Sequence, residues 1–353
     1  MQHSRFEIDR RSLLAGAAAL SAFGPVGALA QAKTKLKGIN PTRSSSSWTM
    51  WLAKEAGYYE KYGLEVTPEF GVHPVGIAGL ISGDVQFTNY SLDDVSAASM
   101  RDPVLTVIGS LLHKGSFALM ARPDIPNVEA LKGKRIGVGR VGDPPYHYTV
   151  GLIKDYGMKS GDIQWVPTGT DASARVTMQI SGQIDAALIT PPSWYRLEAQ
   201  GMKPLTLLED HESTVLTVGN VYKKTWVAQN PDVPERVLRA QGEAIHRFYT
   251  DKGAAIAAYR KYDPSVSQAD LERVYANTVR VSIIDRIPLM QKVAGEAVVD
   301  RIGADLPALK TFDFQSIIDN KPVRKMIDEG FFEKLYGPSI KAEQDKKLKG
   351  AYA

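Results

Sequence analysis

Apolar and polar positions alternate in period along the chain. Lys35 to Asn40 reads as a strand that stops at Pro41, and Thr42 to Ser47 is a polar loop. From Ser47 to Lys61, Trp48, Leu52, Ala56 and Tyr59 recur at helical spacing. The chain then turns at Gly63, and Leu64 to Phe70 predicts a second strand, followed by a helix over Val75 to Ile81. That helix runs into Ile81-Ser82-Gly83-Asp84-Val85-Gln86-Phe87, a unit that returns as Ile180-Ser181-Gly182-Gln183-Ile184-Asp185-Ala186. In both copies a helix ends, glycine takes the left-handed position beyond it, and a short apolar strand begins. Each strand reaches a loop, Thr88 to Ser91 in one and Thr190 to Ser193 in the other, and then a further helix. Helix–strand–loop–helix used twice predicts two similar α/β lobes.

The remaining pattern fills in those lobes. Leu92 to Met100 predicts a helix with Asp93 and Asp94 in its first turn, where acids suit the positive end of the helix dipole. Further strands are expected at Val104–Gly109, Phe117–Arg122, Lys134–Gly139, Ile163–Val166, Pro204–Leu208 and Thr214–Val221. Helices are expected from Pro144 to Tyr156 and after Thr168-Gly169-Thr170-Asp171, the latter turning Ala174, Met178 and Ile180 to the core. The chain would cross between lobes near Gly115–Phe117 and again near Ser213–Thr217, a two-strand hinge. Lobe one then comprises residues 31–117 and 215–353, and lobe two residues 118–214. The end of the chain reads as helical, with Pro234–Thr250, Ala254–Tyr262, Gln268–Thr278 and a closing helix from Asp313 to Phe331.

Composition narrows the class. The formal charge of +4 over 353 residues is too small for a nucleic-acid-binding surface, and the short basic runs at Lys132–Arg135 and Lys346–Lys349 read as solvated turn and tail. There is no cysteine, which excludes disulfides, thiolate metal sites, a cysteine nucleophile and a lipoprotein-type anchor. Residues 1–30 read as an export signal: Arg10-Arg11-Ser12-Leu13-Leu14, an alanine-rich run from Ala15 to Ala22, and Ala28-Leu29-Ala30 as a cleavage pattern. It resembles a twin-arginine signal, with Asp9 where Ser or Thr is usual; a Sec signal carrying two arginines is the other reading. The mature chain would begin at Gln31 or Lys33. No later run is long enough to span a bilayer, so a soluble periplasmic protein without a lipid anchor is expected.

Gly137-Val138-Gly139-Arg140-Val141-Gly142 fits a dinucleotide fingerprint after a strand. The next strand ends at Pro167-Thr168-Gly169 without the required acid, and Asp143 would put a carboxylate where a phosphate belongs. A cleft loop is the better reading. Six histidines show no close ligand spacing, Asp143 with His147 lacks a third partner and reads as a cap beside a surface histidine, and no G-x-S-x-G elbow occurs. No cofactor and no metal are expected. The predicted cleft lining comes from loops at strand ends: Arg43, Ser44, Ser46, Ser47 and Trp48; Asn89, Tyr90 and Ser91; Arg140, Gly142, Asp143, Tyr146 and His147; Thr170 and Asp171; and Thr190, Pro191 and Trp194. The bland alternatives are that Ser47 caps a helix, that Arg43 is solvated, and that Trp48 and Trp194 fill cores. Serines, arginines and helix N-termini suit a small anion, and the aromatic residues allow an aromatic or heterocyclic body.

Ala53-Lys54-Glu55-Ala56-Gly57-Tyr58-Tyr59 with Tyr62-Gly63-Leu64-Glu65-Val66 resembles the opening of the binding proteins of sulfonate-, taurine- and nitrate-type ABC importers, a pattern shared by thiamine-precursor-binding proteins. Gly83 to Phe87, Leu131 to Val138 and Gly182 to Ala187 match the same pattern in order and spacing, so the resemblance covers nearly the whole mature chain. It implies the two-lobed periplasmic binding protein fold (type II): two doubly wound α/β lobes joined by a two-strand hinge, with a ligand cleft between them. It also implies a small-molecule ligand and a membrane permease and an ATPase as partners; a monomer is expected, and no enzymatic activity, since no acid–base–nucleophile constellation with a defensible spacing occurs. The related pyrimidine synthases carry a cysteine-rich motif that this chain lacks. An exported enzyme on the same fold, acting on a small heterocyclic or aromatic acid, is the competing class.

Overall fold

The computed structural model describes residues 32–353 apart from Thr170, Asp171 and residues 212–217. The leader expected over residues 1–30, two of the predicted cleft residues and the second crossing near Ser213–Thr217 lie outside the described residues.

Two five-stranded sheets carry the fold. The first contains β1 (Thr34–Asn40), β2 (Leu64–Phe70), β3 (Phe87–Ser91) and β4 (Leu105–Leu112), with β10 (Val218–Lys223) inserted in the order β2-β1-β3-β10-β4. The second contains β5 (Ala118–Ala121), β6 (Arg135–Val138), β7 (Gln164–Pro167), β8 (Ala186–Ile189) and β9 (Lys203–Leu207) in the order β7-β6-β8-β5-β9. The two orders correspond position by position. In each sheet the first three strands are parallel, and the fourth, β10 or β5, runs antiparallel to the repeat strand beside it. β5 is the first strand after the chain leaves the first sheet, and β10 the first after it leaves the second.

The repeated unit does the same work in both sheets. Gly83 and Gly182 both take positive φ, +94° and +75°, which glycine adopts without a Cβ clash. The sixth residue of the unit then substitutes for a missing ladder bond. Gln86 accepts the Lys37 N–H on its side-chain oxygen at 2.8 Å, while its own N–H donates to the Lys37 carbonyl. Asp185 accepts the Arg135 N–H at 2.9 Å, and its N–H donates to the Arg135 carbonyl. Arg135 adds its guanidinium to the Asp185 carboxylate, which holds that acid below its ordinary range.

The helices on these sheets are α1 (Trp48–Glu55), α2 (Tyr58–Lys61), α3 (His73–Ser82), α4 (Leu92–Ser99), α5 (Pro144–Lys154), α6 (Ala172–Ile180) and α7 (Ser193–Glu198). One helix was expected from Ser47 to Lys61. The chain instead breaks at Gly57, whose φ of +72° turns α2 away from α1. In α6 the core side is Val176 and Gln179, the latter donating to the Met120 carbonyl at 2.8 Å, and Ile180 is 45% exposed. The expected Ala174–Met178–Ile180 face is therefore rotated, because a polar residue with a backbone partner took a buried place.

The C-terminal part comprises α8 (Lys224–Gln229), α9 (Val233–Thr250), α10 (Lys252–Tyr262), α11 (Gln268–Arg280), α12 (Lys292–Ile302), α13 (Lys321–Asp328), α14 (Phe331–Tyr336) and α15 (Lys341–Gly350). The single closing helix expected from Asp313 to Phe331 is broken. Asn320 bonds the Met290 N–H and carbonyl at 2.9 and 3.0 Å, and Pro322 begins a new helix beyond it. Gly330, at φ +68°, separates α13 from α14.

Two of these helices reach the second sheet's half of the molecule. α11 pairs Arg273 with Glu198 at 2.6 Å and Arg280 with Glu209 at 2.5 Å. α12 packs on both α4 and α5. Its Arg301 side chain, 2% exposed, bonds both oxygens of Asp93 at 2.8 and 3.0 Å and sits 5.2 Å from the Tyr148 ring centre.

Candidate functional site

A cavity of about 520 Å³ lies where the two halves face each other. Its origin is topological. β1 and β3 pair only through Gly38–Phe87 and Ile39–Thr88, then part, and β1 ends before Pro41. Space opens beyond the carboxyl ends of parallel strands, the usual location of ligand sites in open α/β sheets.

The first sheet's half contributes a hydroxyl cluster. Thr42, Ser44 and Ser46 bond one another through their side chains at 2.8–3.0 Å. Ser47 donates to the Thr42 carbonyl, so the expected serine cap is absent; the side chain closes the loop instead of the helix. Tyr259 fixes the loop by donating to the Arg43 carbonyl at 2.7 Å. The Arg43 guanidinium lies 4.5 Å from the centre of the Phe70 ring.

Asn89 lines the cavity at the end of a buried amide chain. Its Nδ2 donates to Asn220 Oδ1 at 2.6 Å, and Asn220 Nδ2 donates to Gln241 Oε1 at 2.6 Å. Gln241 Nε2 reaches Asn220 Oδ1 at 3.2 Å and the Tyr59 hydroxyl at 3.3 Å. Burial pushes the Tyr59 phenol far above its ordinary range, so it acts as a neutral group. Ser91 caps α4 and donates to Asp94 at 2.5 Å.

The second half contributes the glycine-rich loop. The Asp143 carboxylate accepts the N–H groups of Arg140 at 3.1 Å and Tyr146 at 2.9 Å. The donors a phosphate would need are taken up internally, and a Cβ on Gly139 would fall 2.3 Å from Asp143 Oδ2. The fingerprint is a self-capped cleft loop. Beside it lie Tyr148, Arg175, Thr190, Pro192 and Arg196. Tyr148 is buried, which raises its phenol pKa well above the ordinary value.

Of the predicted residues, Arg43, Ser44, Ser46, Asn89, Ser91, Arg140, Asp143 and Thr190 share this cavity. Ser47, Trp48, Tyr90, Gly142, Tyr146, His147, Pro191 and Trp194 do not line it. Trp48 is fully buried, donates to the Ala255 carbonyl, and packs edge-on against Phe248, Tyr259 and Tyr275. Tyr90 bonds the carbonyls of Gly71 and Val72 on the other sheet face. Tyr146 turns to Ser160 and Trp165, and Trp194 packs on Tyr195. His147, expected at the surface, is buried because α12 covers that side of α5. Its Nδ1 lies 3.7 Å from the Asp305 carboxylate, and burial lowers its pKa. Thr170 and Asp171 lie outside the described residues.

Sequence reasoning missed Phe70, Lys114, Tyr148, Arg175, Arg196 and Tyr262. Tyr148 stands four residues after Pro144, and Arg196 three after Ser193, so helical spacing from the correctly chosen loops would have found both. Among the described residues, five basic side chains line the cavity (Arg43, Lys114, Arg140, Arg175, Arg196) against three acids (Asp94, Asp143, Asp263). One of those acids already serves backbone N–H groups. Phe70, Phe117, Tyr148 and Tyr262 supply apolar faces. Among the described residues no three histidine, aspartate or glutamate side chains converge as a metal site, and no helix is long and apolar enough to cross a membrane.

Comparison with known proteins agrees with this architecture. The family model described as NMT1/THI5 like matches residues 45–255, more than half of the chain. A 4-amino-5-hydroxymethyl-2-methylpyrimidine phosphate synthase from Schizosaccharomyces pombe is 29% identical over 143 residues, 39% of this chain and 40% of that protein, so the match takes in about two-fifths of the relative's length. The periplasmic sulfonate-binding protein SsuA from Methylobacillus flagellatus KT aligns with a TM-score of 0.65 at 18% identity, over 86% of this chain and 96% of that one. The desulfurization enzyme DszB aligns with a TM-score of 0.59 at 17% identity, over 84% and 99%. With a matching family model, two sheets of one topology and a cavity at their facing ends, the chain belongs to the NMT1/THI5-like family and has the periplasmic binding protein fold.

Proposed function

We propose that this protein is the periplasmic solute-binding component of an ABC importer, and that it captures a small organic anion between two lobes and delivers it to a membrane permease driven by an ATPase. The lobes are residues 31–117 with 215–353, and residues 118–214, and the protein works as a monomer. The observation that supports this most is the cavity itself, which among the described residues gathers an excess of basic side chains and a group of hydroxyls without an acid, a base and a nucleophile in mutual reach. Guanidinium groups bind sulfonate or carboxylate oxygens through paired N–H donors, and aromatic walls accept a flat body. A binding free energy near −8 kcal/mol, roughly micromolar, suffices for capture.

The competing reading is an exported enzyme acting on a heterocyclic or aromatic acid. The synthase and desulfurization relatives favour it. Thermal-shift titration of the purified protein with aromatic and aliphatic sulfonates and carboxylates, with mass spectrometry of the recovered solutes, separates the two. Stabilisation with solute recovered unchanged is the expected result. Chemical conversion of a solute, or indifference to every anion, overturns the receptor reading.

A further inference from the structure

The apolar layer between the first sheet and α9 contains a polar intrusion. Asn89 and Asn220 face each other across β3 and β10 in register, and Gln241 and Tyr59 continue the chain from α9 and α2. Asn89, Asn220, Gln241 and Tyr59 are all fully buried. Asn220 Oδ1 accepts from both Asn89 and Gln241, which holds the Asn89 nitrogen inward. Its carbonyl oxygen is the end left over. Asn89 Oδ1 is buried and has no hydrogen-bond partner among the described residues. Nearby polar atoms in the same condition, Thr88 Oγ1 and Tyr222 OH, belong to residues that do not line the cavity; Asn89 does. An amide carbonyl only accepts, and leaving it unpaired in a dry site is costly.

We infer that Asn89 is a specificity-determining residue that accepts a hydrogen bond from an N–H or O–H group of the solute, so that the preferred ligand is an anion that also carries a donor. This inference rests on the anion-binding reading above and names the second feature of the ligand. Tyr59, Gln241 and Asn220 act as positioning residues: they take up the amide nitrogen and leave the carbonyl oxygen over. A solute that places a methyl group at this point leaves the carbonyl unpaired and binds more weakly by roughly tenfold to a hundredfold.

The test uses isosteric pairs in which hydroxyl is replaced by methyl: 4-hydroxybenzenesulfonate against toluene-4-sulfonate, and 4-hydroxybenzoate against 4-methylbenzoate. Calorimetric titration of the unmodified protein should give the hydroxyl member tighter binding by about that factor in at least one pair. In Asn89→Leu the preference for the hydroxyl member should vanish. Equal binding within both pairs in the unmodified protein, or tighter binding of the methyl member, overturns the inference and leaves the anion reading standing. An undiminished preference in a folded Asn89→Leu also overturns it. Absence of binding by all four solutes counts against the anion reading and takes this inference with it. The comparison in the unmodified protein does not depend on the variant folding.

Discussion

Replacing Arg301 with methionine tests how strongly one buried ion pair ties the C-terminal helices to the first sheet's half, beside the Tyr148 ring of the second. Arg301 comes from α12, its partner Asp93 from the first turn of α4, and the ring beside it, Tyr148, from α5 and the cavity wall. Both charged side chains are about as inaccessible as core leucines, at 2% and 3%. Methionine fills much of the arginine volume but removes the charge, so the loss comes mainly from Asp93, whose carboxylate stays buried without its counter-ion. Breaking a buried pair from one side costs about 3–5 kcal/mol, whereas replacing both partners with neutral groups is often close to neutral. The expected result in urea denaturation is therefore a loss of that order for Arg301→Met, and recovery of most of it in Arg301→Met combined with Asp93→Asn. The coupling energy from the full cycle should be large and favourable. Because Tyr148 rests on Arg301, the single variant should also bind cavity anions more weakly. Additive effects of the two substitutions, or a loss below 1 kcal/mol, would refute the argument that this pair is desolvated and coupled.

Other expectations follow from the same contacts. His147 is held neutral by burial, so its folded-state pKa lies below its unfolded value near 6.5. The unfolded chain binds the proton first, and stability should fall as pH drops below about 6.5 toward 5; His147→Gln should flatten that limb of a Tm-against-pH profile. Asp185 has a depressed pKa because of Arg135, so its contribution is present above the unfolded carboxylate value near 4 and fades as acid protonates the folded form. Asp185→Ala should cost roughly 1–3 kcal/mol in chemical denaturation, and Asp185→Asn less, since an amide oxygen still accepts the Arg135 N–H. Gly139→Ala should displace the Asp143 carboxylate from its two N–H partners. That should lower stability by about 1–2 kcal/mol and weaken anion binding measured by calorimetry, while far-ultraviolet dichroism stays unchanged.

The sequence carried the repeat plainly, because its signals are local: Gly83 and Gly182 require positive φ, and the flanking strands are short and apolar. The loops after those strands were legible for the same reason, and Asn89, Ser91 and Thr190 stand in the cavity. What was not legible is rotation. Whether α5 offers His147 or Tyr148 to the cavity is decided by α12, which lies far along the chain and covers the histidine side. Trp48 was expected in the cleft, with the core as its alternative place; Phe248, Tyr259 and Tyr275 close around it from three later helices and put it in the core. The break at Gly57 was available in principle, since glycine followed by two tyrosines offers a left-handed turn, but helical spacing continued across it and masked it.

The antiparallel strand β10 gives the folding reaction an order. Every strand of the second sheet lies within residues 118–207, so that sheet can form as soon as its own segment is available. The first sheet cannot close until residues 218–223 arrive from beyond it and slot between β3 and β4. Until then β3 and β4 present two unsatisfied edges, the kind of surface that aggregates during slow assembly. Asn220 travels on that late strand, so Asn89 gains its partner only at the final insertion. Refolding monitored by ligand binding should therefore lag behind refolding monitored by the second sheet.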